Sequence, residues 1–310
     1  MKFIDLFSGL GGFRIAFEKQ KCKCVFSAEI DDKVVETYKN NFKDNSKCDI
    51  TTKNPSEIPD FDILCGGFPC QPFSLAGLRK GFEDARGTLF FNVADIIKVK
   101  KPKAFFLENV KGITNHDNGK TMETILSILD GLGYNYKYAV LNAKNYGIPQ
   151  HRERWYCIGI RKDLNIDIDN FKFPKECDLK YKVIDVLEDS VGKEYNVSNI
   201  CKKNIQKFIR EKNIEVNDET LAYEIRPSRC QFKNDGISPC LTAKMGTGGN
   251  NVPVLVKQMR QLTEKECLRI MGYPDSYKIG KGMPAYKQVG NSVVVPIVSA
   301  IAKELVRVVS

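Results

Sequence analysis

Four residues of this chain stand where they could do chemistry. Cys70 lies in the run Gly66-Gly67-Phe68-Pro69-Cys70-Gln71-Pro72, directly after an apolar stretch that reads as a buried strand. Two prolines stiffen that turn and two glycines keep its approach clear, so the thiol is presented at a strand end. A thiolate there is a candidate nucleophile. Glu108 closes a second apolar run, KAFFLENV, where a carboxyl is costly unless it works as an acid, base or ligand. Arg152 and Arg154, in QHRER, open the following run and could bring positive charge, although Glu153 between them would equally suit a charged strand start in water. The two histidines, His116 and His151, lack a clear orienting group, which weighs against a Cys-His hydrolase.

A second constellation opens the chain. Phe7-Ser8-Gly9-Leu10-Gly11-Gly12 follows one apolar run and precedes an amphipathic one, and such glycines let backbone approach a ligand at a helix start. Glu29, twenty residues beyond Gly9, ends the next strand, where an acid can accept from ribose hydroxyls. Asp49, after an expected third strand, could accept from an adenine amino group. The set points to a nucleoside-containing cofactor, and the glycines alone do not separate NAD from S-adenosylmethionine.

The elements that must position these groups read as α/β. FIDLF (3–7), CVFSAE (24–29), FDILCGG (61–67), KAFFLENV (103–110) and RWYCIGI (154–160) are short and nearly continuous, the pattern of parallel strands buried on both faces. Amphipathic stretches at 33–42, 87–100 and 120–132 separate them. The expectation is a doubly wound, mostly parallel sheet with ligands at the carboxyl ends of its strands. Beyond 170 the texture changes, first to a lysine-rich segment (171–217) and then to the loop-rich 223–251, as in a second, smaller domain. Thr263 and Glu266 resemble a capping box, and 292–309 reads as an apolar helix returning to the first domain. The expected division is 1–170 with 284–310, and 171–283.

With 310 residues, 42% hydrophobic and 28% charged, the composition is that of a soluble globular protein. No apolar run approaches the ~20 residues of a membrane span, and no cleavable signal opens the chain, so a cytoplasmic location is expected. The net charge of +10 favours a polyanionic partner, against the plainer reading of lysines that solvate a surface. Eleven cysteines without a C-x-x-C pair argue against a structural zinc site and for reduced thiols. Cys65 and Cys157, inside apolar runs, read as inert core.

Taken together, FIDLFSGLGGF, DILCGGFPCQPFS, KGFEDARGTLFF, FFLENVKG, YGIPQHRER, SPCLTA, MGYPDSY and YKQVGNSV resemble the DNA cytosine-5 methyltransferase family, in order and spacing, over nearly the whole chain outside 171–237. The likeness is to compact bacterial restriction-modification enzymes on the Rossmann-like fold of S-adenosylmethionine-dependent methyltransferases. It implies that Cys70 adds to cytosine C6 so that C5 can take the methyl group. It also implies that Glu108 is the general acid at N3, that Arg154 holds O2 and that Arg152 supports it. S-adenosylmethionine would become S-adenosylhomocysteine, without a metal. For that cofactor the resemblance carries over Phe7, Gly9, Gly11, Glu29, Ile30, Asp49, Ile50, Pro69, Leu89 and Asn291. Ile30 departs from the aromatic residue often found there, and Cys240 stands where threonine is more usual.

The implied partner is double-stranded DNA, with the target base flipped out of the helix. Residues 74–86 would form a loop closing over it, with Ser74, Arg79 and Lys80 facing the DNA. Arg226, Arg229, Gln231, Lys244 and Thr247 are candidate contacts in the small domain. A monomer is expected, with no membrane contact and with a cognate endonuclease in the same cell. An RNA cytosine-5 methyltransferase is the competing reading, and a catalytically silent nucleic-acid-binding protein would need a broken catalytic set. The target sequence is not visible in the chain.

Overall fold

The computed structural model describes residues 1–69, 89–247 and 251–310. The chain divides into two compact units, the first made of 1–141, 153–174 and 295–310, the second of 142–152 and 175–294.

The first unit is built on six strands: β1 (Lys2–Leu6), β2 (Lys23–Ala28), β3 (Ile63–Gly67), β4 (Ala104–Val110), β5 (Tyr134–Asn142) and β6 (Glu153–Arg161), in the order β2-β1-β3-β4-β6-β5. β1 runs parallel to β2 and β3, and β3 parallel to β4. The sheet is thus mostly parallel, as its apolar runs imply. One strand departs from that reading. β6 is antiparallel to β4, with Val110 opposite Arg154 and Glu108 opposite Tyr156. A continuous apolar run reports burial on both faces but not direction, so the sequence left this open. β5 lies at the sheet edge with Tyr138 and Val140 exposed, so it shows an alternating pattern rather than the continuous apolar run of the buried strands. The expected third strand is a single bridge between Glu29 and Lys47.

Helices α1 (Gly12–Glu18), α2 (Asp32–Phe42), α3 (Leu89–Lys100), α4 (Lys120–Gly131) and, at the chain's end, the helix Val295–Val309 complete this unit. Aromatic rings fill one side of the sheet: Phe106 of β4 meets Phe13 edge-on at 5.0 Å, and Phe3 stacks on Phe17 at 5.2 Å. Val295–Val309 buries Ile297, Val298, Ile301 and Leu305 and packs on α1, where its unbroken apolar stripe needed a surface. A second cluster joins Leu64, Phe105 and Leu107 of the strands to Ile96 and Ile97 of α3 and Ile125 of α4.

The second unit carries a four-stranded antiparallel sheet, β10-β9-β7-β8, from β7 (Leu221–Arg226), β8 (Arg229–Lys233), β9 (Val254–Leu255) and β10 (Arg260–Gln261). Helix α5 (Asn199–Glu211) covers it with Ile205 and Phe208, which pack among Ala222, Cys230 and Val254. Helices α6 (Glu264–Ile270) and α7 (Met283–Asn291) follow, which makes Val295–Val309 helix α8. Relative to the expected division, 171–174 groups with the first unit, while 142–152 and 284–294 group with the second. Their hydrogen bonds explain it: the Tyr286 hydroxyl donates to Leu262 O at 2.6 Å, and Arg152 binds carbonyls of Leu241 and Gly290.

Thr263 and Glu266 form the expected capping box at the start of α6. Glu266 also takes a bidentate pair from Arg260, both contacts at 2.8 Å, and the amide of Glu188 at 3.0 Å, while fully buried. Removing one partner of a buried pair strands the other charge. Glu266→Ala is therefore expected to cost ~3–5 kcal/mol. Its thermal midpoint, followed by circular dichroism, should fall by roughly 10 °C. A change below about 1 kcal/mol would mean the pair is not sheltered as described.

Among the described residues, no three His, Cys, Asp or Glu side chains are grouped to hold a metal ion, and no helix is long and apolar enough to cross a membrane.

Candidate active site

Strand β3 delivers Gly66 and Gly67 to the sheet's end, and the backbone beyond is fixed from two sides. Phe68 is buried against Phe90 (5.4 Å) and Trp155 (6.5 Å between centroids). Its carbonyl accepts from the buried Asn109 amide at 2.9 Å. Pro69 follows, exposed, and is the last described residue before Cys70. Cys70, Ser74, Arg79 and Lys80 lie outside the described residues.

Glu108 stands beside this turn because β4 pairs with β3 in the register Gly67–Glu108. Its side chain is 11% exposed, and Oε1 lies 3.1 Å from Nε of Arg154, itself 14% exposed. Arg154 reaches it because β6 is antiparallel: the beginning of β6 then lies along the end of β4. A Cβ on Gly67 would sit 3.0 Å from Glu108 Oε2, so the glycine leaves room for the carboxylate. An acid and a guanidinium, both mostly sheltered from water, thus stand at these strand ends, beside the Phe68-Pro69 backbone that precedes Cys70. Pairs of this kind can hold and polarise a planar base edge.

Five of the described cysteines are held as neutral thiols. Burial pushes the thiols of Cys24 and Cys230 up to about 12, and those of Cys65, Cys157 and Cys267 are raised as well by burial. These are poor thiolates and behave as core. Cys65 and Cys157 are fully buried, as their apolar surroundings imply.

At the ends of β1 and β2 the glycine turn takes its predicted place. Phe7, Gly9 and Gly11 all have left-handed backbone (φ 54°, 51° and 70°). The Glu29 carboxylate accepts from Gly9 N at 3.1 Å and from the amides of Ile30 and Asp31 at 2.8 and 3.0 Å, which ties the turn to the end of β2. Ile30 is 63% exposed beside it. Ser46 and Cys48 hydrogen-bond the Glu29 backbone and bring Asp49 and the buried Ile50 to the same edge. Hydrogen bonds from Thr51 hold the Asp49 carboxyl below its usual range. Leu89, half-buried, opens α3. A family model described as C-5 cytosine-specific DNA methylase matches residues 1–307. The chain belongs to this family.

Relatives agree at high similarity. The methylase is 45% identical to the type II methyltransferase M.HhaI of Haemophilus parahaemolyticus, over 97% of this chain and 93% of that protein. It is 43% identical to M.HpaII of Haemophilus parainfluenzae, over 98% and 88%. The match to M.NlaX of Neisseria lactamica is 41%, over 98% and 96%. Among solved structures, a DNMT2 mutant of Spodoptera frugiperda shares the fold with a TM-score of 0.76 at 21% identity, covering 99% of both chains. Dnmt2 of S. pombe gives 0.74 at 21%, over 99% and 98%.

In the methylase's second unit, Arg152 is 2% exposed and donates to the carbonyls of Leu241 (2.6 Å), Gly290 (3.0 Å) and Ser292 (2.5 Å). These bonds fasten the Ser-Pro-Cys-Leu-Thr segment to the Gly-Asn-Ser segment, which makes Arg152 a clamp on backbone. Cys240 Sγ lies 3.8 Å from the same guanidinium. Asn291 ends α7, exposed, in this unit. Arg226 and Arg229 flank the β7–β8 turn, both exposed, and Arg229 pairs with Glu224 at 2.6 Å. Gln231 is half-buried in β8, while Lys244 and Thr247 are exposed in a turn closed by Thr247 N to Lys244 O at 3.0 Å.

Two positioning residues carried no distinct signal in the sequence. Asn109 holds the Phe68 carbonyl, and Gln150 is fully buried and links Leu241 N (3.2 Å) to Met271 Sδ (3.0 Å). A polar residue beside a catalytic candidate was the one hint for each.

Proposed function

We propose that this methylase transfers a methyl group to C5 of a cytosine flipped out of duplex DNA, with Cys70 as nucleophile and S-adenosylmethionine as donor. The observation that carries the reading is the sheltered Glu108–Arg154 pair at 3.1 Å, beside the Phe68-Pro69 turn that leads into Cys70. Cys70 as thiolate adds to C6, and the C5–C6 double-bond electrons move into the ring. Glu108 delivers a proton towards N3 and Arg154 donates to O2, which stabilises the charge that addition creates. Once C5 carries the methyl group, a base takes the C5 proton and Cys70 departs with the C6–S electron pair.

The residues at the ends of β1 and β2 fit the donor. Glu29 offers a carboxylate for the ribose hydroxyls, Ile30 an exposed apolar surface for a purine, and Asp49 an acceptor for an exocyclic amine. S-adenosylmethionine supplies, when bound, the electrophilic methyl sulfonium. Gly11 tests this site. A Cβ there would come within 2.3 Å of the Phe42 ring, on left-handed backbone. Gly11→Val is expected to lower affinity for S-adenosylmethionine at least about tenfold by calorimetry, through backbone strain and overpacking of ~1–3 kcal/mol. Wild-type affinity would place the cofactor elsewhere.

Relatives named as type II methyltransferases support DNA over RNA as substrate and a role beside a restriction endonuclease. Bisulfite sequencing of DNA from a host expressing the chain tests the reading. Protected cytosines should recur in one short motif. Labelled methyl groups entering tRNA, with none entering duplex DNA, would overturn it.

A further inference from the structure

Helix α5 lies in the lysine-rich stretch outside the family blocks, holds none of the residues assigned above, and its exposed side has a specific composition. The segment 199–212 holds Lys202, Lys203, Lys207, Arg210 and Lys212 against a single acid, Glu211. Ile205 and Phe208 point into the core of the second unit. The opposite side presents Asn199, Lys203, Gln206, Lys207 and Arg210, all exposed, at the spacing of one helix face. Glu211 sits at the edge of that face, 3.7 Å from Lys207. Cations therefore recur at steps of roughly 5–6 Å along the helix, with amide side chains between them.

This face is continuous with the hairpin. Lys207 Nζ donates to the carbonyl of Pro227 at 3.3 Å. Pro227 lies in the β7–β8 turn between Arg226 and Arg229, and the Arg229 side chain is 57% exposed. One basic strip thus runs from the turn onto the helix. Glu211 pairs with Lys207 and Glu224 with Arg229, and Lys203 and Arg210 remain as exposed cations on the same helix face. A lysine face that served solubility alone would not need this continuity with the hairpin.

We infer that α5 is a phosphate-tracking surface: it binds the backbone of duplex DNA flanking the methylated site, without reading bases, and extends the footprint beyond the target. This rests on the DNA reading proposed above. Phosphates are what this face fits, because Lys, Arg and amide groups at regular spacing donate to them and carry no base-specific pattern.

The test compares the full chain with the triple variant Lys203→Gln, Lys207→Gln, Arg210→Gln on two duplexes carrying the motif found by bisulfite sequencing. One duplex barely exceeds the motif and the other adds flanking base pairs on both sides. Every phosphate that the variant no longer neutralises should make the plot of log affinity against log salt shallower by about 0.9, so the slope should drop by about 2–3 on the long duplex. Its affinity there should fall roughly tenfold or more near 100 mM salt, and the wild-type preference for long over short DNA should disappear. Glutamine keeps helix propensity, and Gln206→Lys, which adds a cation to the same face, should steepen the slope by about 1, a gain that a misfolded helix cannot give. An unchanged slope on the long duplex, or an equal loss on both lengths, overturns the inference. A wild-type chain that neither binds nor methylates duplex DNA would instead overturn the reading on which it rests.

Discussion

Cys70→Ala is expected to reduce methyl transfer to duplex DNA by roughly 10⁴-fold or more, since the step it removes makes C5 nucleophilic at all. Without addition to C6, cytosine C5 has too little electron density to attack a methyl sulfonium. Binding should survive, because the phosphate and base contacts lie elsewhere. Two measurements separate these effects. Incorporation of labelled methyl groups should vanish while a gel-shift with duplex DNA persists. A duplex carrying 5-fluorocytosine at the target should trap wild-type protein as a denaturant-stable adduct, because fluorine blocks the final loss of the C5 proton. The Ala variant should form no adduct. Full transfer by this variant would remove the covalent mechanism.

Glu108→Gln should slow turnover by about 10²–10⁴-fold, the range for loss of one positioned general acid. The substitution keeps the size of the side chain and its place opposite Tyr156. It removes the group that can carry the transferable proton and, once that proton has left, the carboxylate charge beside Arg154 at 3.1 Å. Affinity for S-adenosylmethionine should hold within about twofold, since Glu108 lies on β4 and the proposed cofactor groups on the ends of β1 and β2. A pre-steady-state measurement of adduct formation should locate the loss in the addition step. An unchanged rate would exclude Glu108 as the acid and leave Arg154 alone to stabilise the adduct.

Several of these groups were legible because their chemistry is local. Glycines that need left-handed backbone, an acid near the end of a buried strand and a capping box at Thr263 all depend on neighbours within a few residues. β5 lacks the continuous apolar run of the buried strands, and its strand signal is instead the alternation Tyr134-Asn135-Tyr136-Lys137-Tyr138 of a half-exposed edge. The place of 142–152 and 284–294 was hidden, since hydrogen bonds from Arg152 and Tyr286 to distant backbone assign them to the second unit.

The sequence by itself determined the inventory: a cysteine after β3, a glutamate closing β4, an arginine opening β6, and a glycine turn answered by Glu29. It also determined the strand and helix classes, since burial and period are written in residue type. Only the tertiary structure decided that the beginning of β6 meets the end of β4. Had β6 run parallel, like β1 to β4, Arg154 would lie at the opposite edge of the sheet from Glu108. Strand direction depends on how the chain returns, through β5 and the segment 143–152, and not on the residues of β6. That reversal brings the acid and the guanidinium within 3.1 Å of each other.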